Sequence, residues 1–400
     1  MAISSIGGLG FAATSPKPAH VHYQPVADQI VRANPLDPLA AIIFVTLLAV
    51  AALLTARRPA FGLCVLIGSV PFALYRDFLG TTITLPKIAL LGVLLGLTVH
   101  RDHLPSLRTT PIRIFLIAIT CLLGATALSV LRIGSHEAAL RETLKVAEYG
   151  LAFLAAYVCF KLDPADDLLR LAITTVVSAV ALGALSQEFG DAPSGMYFNN
   201  VIIPRIAGAL EGPNQLAGYL EIGTALLASF VCARPRWEFS VALGLAALAD
   251  ILTYSRSGLI GGAVAIAVVA VVYRRDATRL IAPLVTAMVA GASTTAGWAA
   301  NAHTGGLGLF PVMLGVRTHA NSLYQQALAE GGIPLIAATL FVVWLSIASF
   351  VKRAAESPFV AAALAASIAL ALHQTVDYVV FYPKVGEMWW IILALGAACV

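Results

Sequence analysis

Residues 38–58 read PLAAIIFVTLLAVAALLTARR. No charged side chain stands between Pro38 and Ala56, and the run closes on the doublet Arg57-Arg58. A helix needs roughly 20 apolar residues to cross a bilayer core of about 30 Å, and a basic pair at its end suits an anionic leaflet. The same grammar recurs along the chain. Apolar runs bounded by charges or turn residues fall at 38–54, 59–74, 84–99, 111–131, 143–160, 168–188, 214–232, 238–254, 258–273, 280–298, 334–351, 358–377 and 386–400. They predict an all-α, polytopic transmembrane bundle of twelve or thirteen spans. Composition agrees, because 59% of 400 residues are hydrophobic, roughly 236 side chains and more than a soluble core of this length takes up. Residues 38–400 read as one transmembrane domain, with no sequence left for a separate catalytic domain. Residues 1–37 read as a flexible or interfacial arm, since the apolar patch from Ile6 to Ala13 has neither a basic region before it nor a cleavage site after a long apolar stretch.

Sidedness follows from Lys and Arg in the connections. One set of alternate connections holds twelve, including the doublets Arg57-Arg58, Arg274-Arg275 and Lys352-Arg353. The other holds seven: Arg76, Arg132, Arg141, Arg205, Arg256, Arg317 and Lys384. The first set is expected on the cytoplasmic side. Two outer connections, about 189–213 and 299–333, are long and rich in Gly, Pro and Asn, where ligands are commonly handled. The net charge of +4 is spread without a basic tract, which argues against nucleic-acid binding. The five cysteines show no CxxC and no Cys/His ligand spacing, so neither disulfides nor a metal site is expected.

Three outer arginines stand in distinctive contexts. Arg205 lies in Pro204-Arg205-Ile206-Ala207-Gly208, just before Gly212-Pro213-Asn214-Gln215; Arg256 lies in Ser255-Arg256-Ser257-Gly258 between two spans; Arg317 precedes His319 by two residues. Guanidinium groups converging on a charge-poor face make an anion site, and their fork geometry suits phosphate oxygens. Plainer readings stand beside this one. Arg256 snorkels to headgroups or pairs with Asp250, Arg205 is satisfied by Glu211, and Arg317 is a solvated charge. His319 opens a segment in which Asn321 or Ser322 caps a short helix. Leu323, Ala327 and Leu328 give that helix an apolar face, and Gly331 or Gly332 ends it before Pro334. A neighbouring guanidinium favours neutral imidazole, ready to accept a proton. His373 and Asp377 share a helix face, and Asp377 is placed to hold one of the arginines.

The order of these motifs resembles the bacterial O-antigen ligase and polymerase superfamily. It runs from Arg205 before Pro213-Asn214-Gln215-Leu216-Ala217, through Ser255-Arg256-Ser257-Gly258 and His319 with Tyr324, Glu330 and Gly332, to His373 and Asp377. The resemblance covers about 190–390. It implies a GT-C-like, metal-independent, inverting glycosyltransferase without cofactor, at the periplasmic face of the inner membrane. The implied donor is a glycan on undecaprenyl diphosphate, and the acceptor a hydroxyl of lipid A-core or a related glycan. Arg205 and Arg256 then bind the donor diphosphate, and His319 orients or deprotonates the acceptor; Arg317, Asn214, Tyr324 and Asp377 become substrate-binding residues. An O-antigen or exopolysaccharide polymerase, and an oligosaccharyltransferase acting on protein, share the motifs. Rivals from other classes are a transporter of a lipid-linked or anionic substrate and a non-catalytic scaffold. The transporter needs polar residues at mid-bilayer in several helices, whereas the polar residues read from sequence cluster towards one face.

Overall fold

The structure, a computed structural model, describes residues 37–72, 74–78, 81–107, 110–129, 136–189, 194–198, 201–301 and 322–400. The expected arm therefore lies outside the described residues except for Asp37. Thirteen α-helices lie within them: α1 (Pro38–Arg57), α2 (Pro59–Ser69), α3 (Leu85–Leu97), α4 (Thr110–Ser129), α5 (His136–Leu162), α6 (Asp166–Leu185), α7 (Pro213–Ala233), α8 (Trp237–Leu252), α9 (Arg256–Val272), α10 (Ile281–Asn301), α11 (Leu323–Phe350), α12 (Pro358–His373) and α13 (Pro383–Cys399). Each coincides with one of the thirteen apolar runs. The helix starts are written locally. Asp37 accepts from the Ala40 amide at 2.8 Å and Ser357 from that of Phe359, and Pro38, Pro59, Pro86, Pro213, Pro358 and Pro383 open their helices, where a missing N–H costs nothing. Inside α11 the backbone breaks at Gly332 (φ 64°, ψ −155°), a conformation suited to glycine, so the short helix expected after His319 ends there and Pro334 sits near the start of the long one.

Among the described residues seven helical stretches are long and apolar enough to cross a membrane, and α2, α9 and α12 are apolar but shorter. This is compatible with a multi-pass membrane protein. The bundle has a wrapped centre and a greasy rim. In α7, 94% of the spanning window is buried, against 22% in α1. On the rim Ile42, Val45, Val271 and Trp344 are each more than 60% exposed, a face that water would penalise and lipid would not. α7 packs against α8, α9 and α12, α13 lies between α5 and α12, and α1 leans on α3.

The predominantly helical class holds, and two short hairpins lie between the helices. β1 (Tyr75–Phe78) pairs antiparallel with β2 (Thr81–Thr84), and β3 (Ser194–Phe198) with β4 (Val201–Arg205). Both hairpins lie in connections, beyond the apolar helices, where backbone groups need partners that a helix no longer supplies.

The connections gather at two ends. At one, Arg58 donates twice to Asp163 at 3.0 Å, Arg234 pairs with Asp167, Arg279 caps the Cys232 carbonyl at 2.6 Å and Arg353 the Val400 carbonyl at 2.7 Å. At the other, Arg76 pairs with Asp37 at 2.9 Å, and Glu211 takes both Tyr75 and, at 3.2 Å, Lys384. Each of these basic residues falls at the end that alternation of the spans assigns to it.

Candidate functional site

β4 ends on Arg205, and the chain then turns through Gly208 (φ 61°), a left-handed backbone that only glycine adopts freely. Gln187, just after α6, fixes this turn. Its Oε1 accepts from the amides of Ala207 and Gly208 at 3.0 Å each, and its Nε2 donates to the Gly208 carbonyl at 3.1 Å. Arg205 is thereby aimed inward, half-buried. Its Nε donates to the Thr253 carbonyl at 2.7 Å and its Nη2 to Asn214 Oδ1 at 2.9 Å. Asn214 passes the contact on, its Nδ2 donating to Asp377 Oδ2 at 2.7 Å, while Asp377 Oδ1 accepts from the Tyr378 amide. Burial of the guanidinium lowers the Arg205 pKa and Asp377 pulls it back up, so the side chain remains a cation.

Four remote segments meet in this relay: the end of β4, the first turn of α7, the turn between α8 and α9, and the end of α12. A fifth docks on it. The Leu323 amide donates to the carbonyls of Gln374 (3.0 Å) and Asp377 (3.2 Å), Ser322 Oγ to Gln374 (3.3 Å), and the Tyr324 hydroxyl to Ala371 (2.9 Å). Ser322 thus occupies the N-cap position of α11 but spends its hydroxyl on α12, a correction to the expected capping role. Tyr324 is likewise engaged in holding α11 to α12.

Arg256 opens α9 next to this relay. Ser255 caps that helix through the Gly258 amide, and Tyr254 bends the chain with φ 50°. Gly258 lets α9 close on α7, since a Cβ there would lie 2.4 Å from the Cβ of Ala217. Arg256 is exposed and makes no hydrogen bond or ion pair among the described residues. The alternative pairing with Asp250 is overturned: Asp250 is 5% exposed, turned into the bundle. Glu211, the other proposed partner for Arg205, is engaged by Tyr75 and Lys384 instead. Burial raises the Tyr75 pKa, which keeps its hydroxyl protonated and able to donate to Glu211. Arg317 and His319 lie outside the described residues.

Sequence reading missed Gln187 and a set built on Glu221, whose other members, His373 and Asp250, it had named only separately. Gln187, which shapes the Arg205 turn, has no sequence signature. The set lies deeper, where Glu221 of α7, 0% exposed, meets His373 Nδ1 of α12, with Asp250 of α8 close by. A single carboxyl inside the apolar run 214–232 was a readable signal for it.

α7, α9, α11 and α13 all begin at this end, so their N-terminal dipoles add positive potential to that of Arg205 and Arg256. The arrangement can hold an anion. No family model, curated protein or solved structure matches the chain.

Proposed function

We propose that the chain is a glycosyltransferase of the O-antigen ligase type, acting at the periplasmic face of the bacterial inner membrane on a glycan carried by undecaprenyl diphosphate. The observation that carries this reading is the relay Arg205–Asn214–Asp377 beside Arg256, at the end of the bundle poorer in Lys and Arg. Two of the Arg205 nitrogens are held by protein, which fixes the plane of the fork; Arg256 is left to reach the ligand. Both supply charge where the leaving diphosphate gains it. In sequence His319 stands three residues before Ser322, which begins the docked segment. In the reaction the acceptor oxygen attacks the anomeric carbon from the face opposite the diphosphate. The hydroxyl proton passes to His319, the carbon–oxygen bond to the diphosphate breaks, and the configuration inverts.

The test is reconstitution with an undecaprenyl-diphosphate glycan and candidate acceptors, with mass analysis of the product. Glycan on lipid A-core marks a ligase, and longer glycan on the same lipid a polymerase. Transfer at normal rate by His319→Ala excludes the histidine as base. Consumption of no donor with any acceptor overturns the enzyme reading.

A transporter is the second reading, and one observation favours it. Glu221, Asp250 and His373 place ionisable groups inside the bundle on three helices, the feature that sequence reading found lacking. Donor-dependent flux across a sealed vesicle without product formation would establish it.

A further inference from the structure

Below the relay the same helices carry a second cluster that glycan transfer does not use. Glu221 (0% exposed), His373 (1%) and Asp250 (5%) project from α7, α12 and α8 into one place. The Glu221 carboxylate contacts His373 Nδ1, and Asp250 lies within electrostatic reach of both. α9 roofs the cluster with glycines: a Cβ on Gly261 would lie 2.4 Å from Glu221 Cδ, and one on Gly262 2.9 Å from Asp250 Oδ2. Glu221 Oε2, Asp250 Oδ1, His373 Nε2 and both amide atoms of Gln374 are buried without a hydrogen-bond partner among the described residues.

Charge balance decides what such a cluster holds. The ionisable groups on α7 and α12 are Tyr219, Glu221, His373 and, at the far end of α7, Cys232; α8 adds Glu238 at its far end and α9 adds Arg256 at its mouth. Of the neighbouring helices, α10 has no charge and α6 carries Asp166, Asp167 and Arg170 at the opposite end. On α13, Lys384 and Glu387 are engaged with Glu211 and Glu148. On α11 the one charged residue is Glu330, in the short helix before Gly332, and Asp377 stands one turn beyond His373. Two carboxylates and a neutral imidazole, so placed, carry two negative charges with no arginine or lysine among the described residues hydrogen-bonded to them. An uncompensated charge in a dry interior is expensive. Two protons shared among the three groups make the cluster neutral. Among the described residues no set of His, Cys, Asp and Glu is arranged for a metal ion.

We infer that Glu221, His373 and Asp250 form a buried proton-binding site that holds two protons, and that its loading is linked to anion binding at the mouth above it. The linkage has a structural basis. The four helices around the cluster are those whose outer ends carry Asn214 (α7), the Thr253 carbonyl that holds Arg205 (α8), Arg256 (α9) and Asp377 (α12). Loss of a proton from Glu221 places a negative charge about 10 Å below the mouth, seven residues at about 1.5 Å rise from Asn214. At an effective dielectric of about 20 that charge weakens an anion on the order of tenfold. Linkage is reciprocal, so an arriving anion draws protons in. This second part rests on the anion site proposed above.

The test uses the full chain in lipid nanodiscs. Infrared difference spectra are expected to show a carboxylic-acid C=O band at neutral pH, downshifted in D2O, that shrinks in Glu221→Gln and in Asp250→Asn. Inorganic pyrophosphate is expected to bind about tenfold more weakly at about pH 9 than at about pH 6, and the double variant to show no such loss. A spectrum unchanged by either substitution overturns the proton site; if one variant fails to fold, the other and the deuterium shift still decide. Pyrophosphate affinity independent of pH in a protein that shows the band overturns the linkage. Absence of pyrophosphate binding at any pH overturns the anion site and the linkage with it, while the band still decides on the proton site alone.

Discussion

Replacing Asn214 by Asp isolates one bond in the relay. The Oδ1 acceptor for Arg205 is retained, but the Nδ2–H donated to Asp377 becomes a second carboxylate oxygen at the same 2.7 Å separation. Two like charges about 3 Å apart repel by about 5 kcal/mol at an effective dielectric of about 20. Both groups are half-buried, so the pair escapes part of this by relaxing or by sharing a proton, and the lost charge-assisted hydrogen bond, roughly 1.5–3 kcal/mol, sets the lower bound. We expect about 3 kcal/mol of destabilisation at about pH 8, or about 4 °C in Tm for a chain of this length. The pH dependence carries the sign. The like-charge neighbour raises one carboxyl above its unfolded value, so the folded variant binds more protons than the unfolded one. Its deficit is therefore small at low pH, where the shared proton restores a hydrogen bond, and grows as pH rises through the raised pKa. Asn214→Ala is the control, with a deficit that does not change with pH. Thermal unfolding in detergent at about pH 5 and about pH 8 measures both. An Asn214→Asp deficit equal at the two pH values would refute the relay geometry.

Arg256→Ala is expected to leave stability within about 0.5 kcal/mol while weakening pyrophosphate binding, whereas Arg205→Ala lowers both because it strands the Thr253 carbonyl and Asn214; parallel melts and binding isotherms separate them. Gly261→Ala is expected to cost about 1–3 kcal/mol by driving a methyl into Glu221, and Gly124→Ala, with open space around it, to be neutral or to stabilise by up to about 1 kcal/mol in the same melts. The Asp163 carboxyl at the opposite end is held below its usual pKa by its hydrogen bond from Arg58. Its contribution to stability is full above the unfolded carboxylate range and is lost as pH falls through the folded value, so Asp163→Asn is expected to flatten the acid limb of the melting curve.

The helices were legible because length, apolarity and end charges are all local properties. Arg57-Arg58 and Pro358 each mark a helix end without reference to the rest of the chain. Arg205, Asn214 and Asp377 were legible as residues, but the direction of the relay was not, since it depends on where β4 meets α7. The β3–β4 hairpin was hidden because Met196-Tyr197-Phe198 and Val201-Ile202-Ile203 do not alternate polar with apolar, although the two-residue Asn199-Asn200 connection was a cue. The pairing of Asp250 with Arg256, one of the alternatives open in sequence, fails because proximity in sequence says nothing about which way a side chain turns at a helix end.

The burial of Glu221 against His373 also bears on how the protein is made. The two residues are 152 positions apart, and at about 5–20 residues per second the ribosome needs on the order of 8 to 30 s to deliver the second after the first. Throughout that interval α7 waits in or beside the translocon with a carboxyl that has no imidazole to meet. The central helix is then a late rather than an early fixture of assembly, completed only when α12 brings an imidazole to a carboxyl that is fully buried in the finished protein.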